Sequence, residues 1–411
     1  MSEEPHPRDE GSAEELLAPL MELREHLPTV VDTSASLTTT IDAFASGKGP
    51  VAVDAERASG YRYSSRAYLV QMRRSGAGIA LVDPLPFGDL AELGSAVSDT
   101  EWVLHAASQD LPCLNDIGMR PRRIFDTELA GRLLNYPRVG LASMVEELLG
   151  FRLSKEHSAV DWSTRPLPQP WLLYAALDVE MLIELRDVIH RQLTEAGKLG
   201  WAEEEFAALV SAAPAQPRKD PWRRTSGIHR VRGRRSLATV RELWQVRDAI
   251  ASQRDVTPSR ILRDAAIVEA ASAQPRNRQA LAALGGFRSR SAQRHLSVFA
   301  DAIATARELP ESELPAVSAR YDGPPPAKVW ADKDPAAAAR LSASREAVGQ
   351  LAEEHQLPVE NLIAPDTVRR LCWTPPEPVT VETVAEMLRG HGAREWQVEL
   401  VSDVLSDALQ P

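Results

Sequence analysis

Short apolar runs rich in Val, Leu and Ile, separated by polar turns, occupy the chain from Thr29 to about residue 105. Val30-Val31, residues 50–56, 67–72, 78–83 and 102–105 read as strands. Between the first two, Ser36 is placed to cap a helix carrying Leu37, Ile41 and Phe44. The three strands before Asp83 follow one another closely, which predicts an antiparallel meander. A helix is expected at 87–97, and beyond His105 the pattern is largely helical to about Ala208. Strands with helices packed on a mixed sheet make an α/β domain, assigned here to residues 28–210. The residues before it, 1–27, read as an acidic tail with a short apolar pattern at Leu16, Leu17, Leu20 and Leu23.

After Ala208 the periodicity becomes helical throughout. Residues 211–227, with Pro214 and Pro217, are a linker by composition. Leu237, Val240, Leu243, Trp244 and Ile250 begin a helical unit over 228–308, with further helices at 258–271, 278–284 and 291–306. A second linker, 309–337, contains six prolines and is expected to be extended. A second helical unit of the same kind, 338–411, closes the chain with apolar positions at Val348, Leu351, Val368, Leu371 and Trp396.

Composition narrows the class. With 44% apolar and 26% charged residues and no apolar run of 18, the chain reads as soluble protein with no membrane segment. Its first residues lack the basic and apolar regions of a signal peptide, so a cytoplasmic location is expected. Two cysteines, Cys113 and Cys372, exclude a disulfide framework and argue against a thiolate metal site. The net charge of −11 argues against nucleic acid, but its distribution does not. Between Arg218 and Arg241 there are nine Arg or Lys against one acid, Asp220, while the last helices are acidic.

The strand at 50–56 ends in Asp54-Ala55-Glu56, and alternation puts the two carboxylates on one side. Two such charges repel unless a cation neutralises both, and Mg²⁺ or Mn²⁺ suits carboxylate oxygen. Asp110 lies where a strand gives way to a helix, near the sheet edge at which active sites collect. On a later helix the i, i+4 spacing stacks Tyr174 and Asp178, so phenol and carboxylate reach the same water. Two cations about 4 Å apart on shared carboxylates activate water and stabilise the leaving oxygen of a phosphodiester. Gly47-Lys48-Gly49 lacks the rest of a phosphate loop, and no Gly-x-Ser-x-Gly is present, so a nucleotide cofactor or a serine hydrolase is disfavoured.

With these positions go His105 to Leu111, Asp126 to Ala130 and Asp161 to Leu167. Together they resemble the DEDD exonuclease superfamily in its tyrosine subclass, and most closely the ribonuclease D family; the two helical units are similar to the helicase-and-RNase-D C-terminal (HRDC) domains that follow its nuclease core. The resemblance implies an RNase H-like α/β domain with helices on both faces of a mixed sheet, followed by two small all-α domains. It implies 3′→5′ hydrolysis of RNA to nucleoside 5′-monophosphates, tRNA precursors among the substrates; RNA with a single-stranded 3′ end is the expected partner, and a monomer is expected. Asp54, Glu56 and Asp178 would then hold one cation, Asp54 would bridge to a second supported by Asp110, and Tyr174 would orient or help deprotonate water. Ala55 stands where many relatives carry Thr, on the side facing away from the cations. His105, Trp162, Arg165, Arg223, Arg224, Arg230, Arg232, Arg234 and Arg235 are the expected RNA contacts, Trp162 by stacking on a terminal base. A DNA-directed 3′→5′ exonuclease and a non-catalytic nucleic-acid adaptor remain open as rival readings.

Overall fold

A computed structural model describes residues 18–154, 157, 159–214, 216–318 and 323–410. Its centre is a six-stranded sheet: β1 Val30–Val31, β2 Lys48–Arg57, β3 Ala67–Ser75, β4 Gly78–Val82, β5 Glu101–Leu104 and β6 Arg123–Asp126, in the order β1-β4-β3-β2-β5-β6. The meander is there, since β3 runs antiparallel to both β2 and β4. The remaining pairs, β1 with β4, β2 with β5 and β5 with β6, are parallel. The carboxyl ends of β2, β5 and β6 therefore open on one edge, the edge at which Asp54, His105 and Asp126 stand. The last strand was not expected from sequence. Arg123-Ile124-Phe125-Asp126 holds only two apolar residues, and its pairing with β5 makes it a strand.

Alternation along β2 divides the sheet's two faces. Val51, Val53 and Ala55 join the large core that contains Trp102 and Leu104, whereas Ala52 packs with Val103, Val179 and Leu182. Asp54 and Glu56 share the face of Ala52, and Ala55 points away from them as expected. Eight helices surround the sheet: α1 Ser34–Ser46, α2 Ala91–Ala96, α3 Leu111–Asp116, α4 Thr127–Leu133, α5 Leu141–Leu149, α6 Gln169–Glu180, α7 Leu182–Glu195 and α8 Leu199–Ser211. Thr33 is the residue that caps α1. Its hydroxyl accepts from Ser36 N at 3.2 Å, and the Ser36 hydroxyl in turn accepts from Thr33 N at 3.2 Å, completing a capping box. In the tail, Leu16 and Leu17 lie outside the described residues, and no helix forms at residues 18–29. Leu20 bridges to Arg152, with Met21 N donating to Arg152 O at 2.8 Å.

The two helical units share a plan. A 20-residue helix (Arg234–Gln253; Pro335–Glu354) is followed by a residue at positive φ, Asp255 at 44° and Gln356 at 50°, and then by a four-residue helix (Pro258–Ile261; Val359–Leu362). Leu262 is extended, so the helix expected over 258–271 divides in two there, and the one over 291–306 is interrupted at His295. Both supposed linkers carry buried anchors: Trp222 packs into the middle unit, and Leu314 and Trp330 are buried in the proline-rich segment. The segment expected to be extended also contains short helical turns at Glu311–Glu313, Ala327–Val329 and Trp330–Lys333.

The same corner of each unit meets the nuclease domain. Asp255 Oδ1 accepts from Tyr63 N at 3.2 Å and Ser64 N at 2.9 Å, its Oδ2 from the Tyr68 hydroxyl at 3.3 Å, and Thr257 N donates to Tyr61 O at 3.1 Å. At the second corner the carbonyl of Gln356 accepts from Lys198 Nζ at 3.0 Å, which also donates to Leu133 O at 2.7 Å. Behind that contact Trp201 stacks on Trp396 with centroids 5.0 Å apart and planes at 17°. The C-terminal unit thus continues the nuclease core, whereas the middle unit has a core of its own and docks through polar groups.

Candidate active site

Three elements converge at the open edge. β2 supplies Asp54 and Glu56, and α6, lying across β2, β3 and β4, supplies Tyr174 and Asp178 one turn apart on one face. One carboxylate oxygen each from Asp54, Glu56 and Asp178 lies within 4.8 Å of the others. Asp110 follows a sharp turn after β5, where Ala106 takes a left-handed φ of 62°. That turn is held by Asp126, whose carboxylate accepts from Ala106 N at 3.0 Å and Ala107 N at 2.8 Å while also capping α4. It brings Asp110 within hydrogen-bonding reach of Asp54. The four carboxylates and Tyr174 expected from sequence are therefore brought together, beside a cleft of about 460 Å³ lined by Asp54, His105, Leu141, Tyr174 and Asp178.

The electrostatics of this group are those of an acid cluster short of positive charge. Burial pushes Glu56 up to about 10, with repulsion from Asp54, Asp178 and Asp110 adding to it. Burial together with Asp54 raises Asp110 to about 8 and Asp178 well above the carboxylate range. Asp54 is raised too, by burial against the pull of its hydrogen bonds and Arg57. Tyr174 is raised by burial and by Asp178, to which its hydroxyl is hydrogen-bonded, so the phenol stays protonated. His105 goes the other way, to about 4 through burial, and its Nδ1 pairs with Thr127 Oγ1 at 2.8 Å. At neutral pH it is an uncharged group at the cleft wall.

Several expected RNA contacts are engaged elsewhere. Trp162 is fully buried against Trp171 and Tyr174 and has no face left for a base. Arg165 forks onto Asp83 at 2.6 and 2.8 Å and donates to Tyr68 O and Trp162 O, fastening the loop before α6. Arg223, Arg234 and Arg235 donate to carbonyls between Ala306 and Ala316, so their charges bind the proline-rich segment to the middle unit. Arg224, Arg230 and Arg232 remain exposed. Two residues not singled out from sequence stand at the centre. Gln71, fully buried, lies opposite Asp54 in the β2/β3 register, and Arg57 pairs with Asp110 at 3.2 Å. A glutamine in the apolar run Leu69-Val70-Gln71-Met72 was the available signal for the first.

Residues 28–194 match the family model described as 3′-5′ exonuclease, 236–303 the HRDC domain and 323–409 the 3′ to 5′ exonuclease C-terminal domain. Ribonuclease D of Acidiphilium cryptum is 34% identical over 349 residues, 80% of this chain and 87% of the relative. A crystal structure of a protein from Bifidobacterium adolescentis superposes with a TM-score of 0.88 at 39% identity, covering 96% of this chain and all of the other. The structure of Escherichia coli RNase D, described as an exoribonuclease involved in structured RNA processing, superposes with a TM-score of 0.68 at 25% identity over 93% of this chain and 98% of the other.

Proposed function

The chain belongs to the ribonuclease D family of 3′-5′ exonucleases, and from that membership we propose that it removes nucleotides one at a time from the 3′ end of RNA, with divalent cations, releasing nucleoside 5′-monophosphates and trimming structured precursors such as those of tRNA. The observation that carries this reading is the convergence of Asp54, Glu56 and Asp178 on one small volume. The donor set suits Mg²⁺ or Mn²⁺: it is carboxylate oxygen alone, with no thiolate or imidazole in the group. Asp54, Glu56 and Asp178 would hold one such ion, and Asp110, in reach of Asp54, would support a second. When bound, the ions supply activation of water and stabilisation of the leaving oxygen.

The protein's own groups do the positioning. Asp178 holds the Tyr174 hydroxyl, so the phenol is aimed at the carboxylate cluster and orients the attacking water as a neutral partner. The cleft lined by His105 and Leu141 receives the terminal nucleotide, with His105 contacting it as an uncharged imidazole. The exposed Arg224, Arg230 and Arg232 of the middle unit contact phosphates further back along the strand.

The test is degradation of 3′-labelled and 5′-labelled RNA and of the equivalent DNA, with Mg²⁺, Mn²⁺ or EDTA. Stepwise shortening of RNA from its 3′ end, lost with EDTA and in Asp54→Asn, is expected. Preferential attack on DNA would overturn the substrate class, and retained activity in Asp54→Asn would overturn the site.

A further inference from the structure

Asp110 differs from the other three carboxylates of the site in its partner. Asp54 accepts from the Gln71 amide, and Asp178 from Tyr174, both uncharged donors. Among the described residues only Asp110 of the four is paired with a cation: Arg57 Nη2 stands 3.2 Å from its Oδ1, and Arg57 Nη1 donates to Gln109 O. The pair is half sheltered, with Asp110 buried and Arg57 partly exposed. By alternation Arg57 would lie with Ala55 on the far face, yet it reaches Asp110 from the last position of β2, where the pairing becomes irregular and Tyr68 of β3 is passed over between Glu56–Leu69 and Arg57–Ala67.

We propose that Arg57 is a resident counter-ion of Asp110 that competes with a divalent cation, so that the two cation positions are unequal. The inference rests on the two-cation reading above. A cation held by Asp54, Glu56 and Asp178 displaces no ion pair, because Arg57 acts on Asp54 and Glu56 only through its charge at longer range. A cation that draws on Asp110 must replace the guanidinium or accept Asp110 already neutralised. Charge-assisted hydrogen bonds are about twice as strong as neutral ones, so the competition falls on the Asp110 position selectively. The Gln109 carbonyl retains one arm of Arg57 when the other lets go, which keeps the displaced charge at the rim of the site and within reach of a substrate phosphate.

The experiment is Mn²⁺ titration of the full chain without RNA, read by electron paramagnetic resonance and calorimetry, on the parent, Arg57→Gln, Arg57→Lys, Asp110→Asn and Asp54→Asn. Two unequal dissociation constants are expected for the parent. Arg57→Gln should tighten the weaker by about tenfold and the stronger by less than about threefold. Asp110→Asn should remove the weaker alone, whatever occupies position 57. Arg57→Lys, which keeps the charge without the fork, should fall between, and it serves as the comparison if the glutamine variant loses its thermal transition. Equal shifts at both positions, or none, would overturn the proposal while leaving the metal centre standing. Failure of the parent to bind Mn²⁺, or full binding by Asp54→Asn, would instead overturn the two-cation reading.

Discussion

Gln71 Nε2 donates to Asp54 Oδ2 at 2.7 Å across the β2/β3 register, and the Gln71 Oε1 beside it has no partner among the described residues. A buried amide thus fixes the orientation of Asp54, the carboxylate expected to serve both cations. Groups of this kind are worth about 10–100-fold in metal affinity or activity. Gln71→Leu, similar in volume, is expected to lower kcat/KM by that factor. Removal of the unpaired acceptor offsets loss of the hydrogen bond, so chemical denaturation should show little change in stability.

Neutralising a ligand should separate activity from stability. Asp54→Asn, Glu56→Gln and Asp178→Asn each replace a carboxyl whose ionisation burial and neighbours make unfavourable, and so remove the cost of protonating it on folding. Each is expected to abolish turnover and yet to raise the melting temperature measured in EDTA. Tyr174→Phe keeps every carboxylate and should cost less, about 10²-fold in kcat.

The carboxyl pKa values also set a pH dependence. Their values rise on folding, so the folded protein holds protons that the unfolded chain has released. The stability this gives is complete below the ordinary carboxyl range. It is lost as pH climbs through about 8 for Asp110 and about 10 for Glu56. Each such group gives a slope of about 1.4 kcal/mol per pH unit while only its folded form is protonated. Thermal scans in EDTA should therefore show falling stability from pH 5 to 10 (roughly the span between those carboxyl ranges), and saturating Mg²⁺ should reverse the trend by binding the ionised forms.

The two helical units should come away differently. Trp396→Ala empties a stacked, buried site shared with Trp201 and is expected to cost about 3–5 kcal/mol of the main unfolding transition. Asp255→Ala removes three acceptor contacts from a polar dock and leaves both cores intact. Calorimetry should then show the middle unit melting apart from the rest, with hydrogen exchange increased in residues 61–68.

Sequence carried most of the site because its chemistry is written in local spacing. Asp54 and Glu56 follow from strand alternation, and Tyr174 and Asp178 from the helical repeat. What it did not carry depends on pairing between distant segments. Gln71 matters because register sets it opposite Asp54, and Arg57 because the fold brings Asp110, 53 residues on, to the end of its strand. The arginines at 223, 234 and 235 looked like a phosphate surface in one dimension. Their carbonyl partners lie more than 70 residues away, beyond what charge counting registers.

The paired corners at Asp255 and Gln356 also differ in what mutation can reach. The C-terminal corner offers a main-chain carbonyl to Lys198, a group that loss of the Gln356 side chain does not remove, provided the new residue tolerates the left-handed φ of 50° there. The middle corner offers a side-chain carboxylate, which a single altered codon removes. Of two similar attachments, one is robust to the drift of its own residue and the other is open to selection, so variation in how the middle unit is carried can arise without disturbing the nuclease.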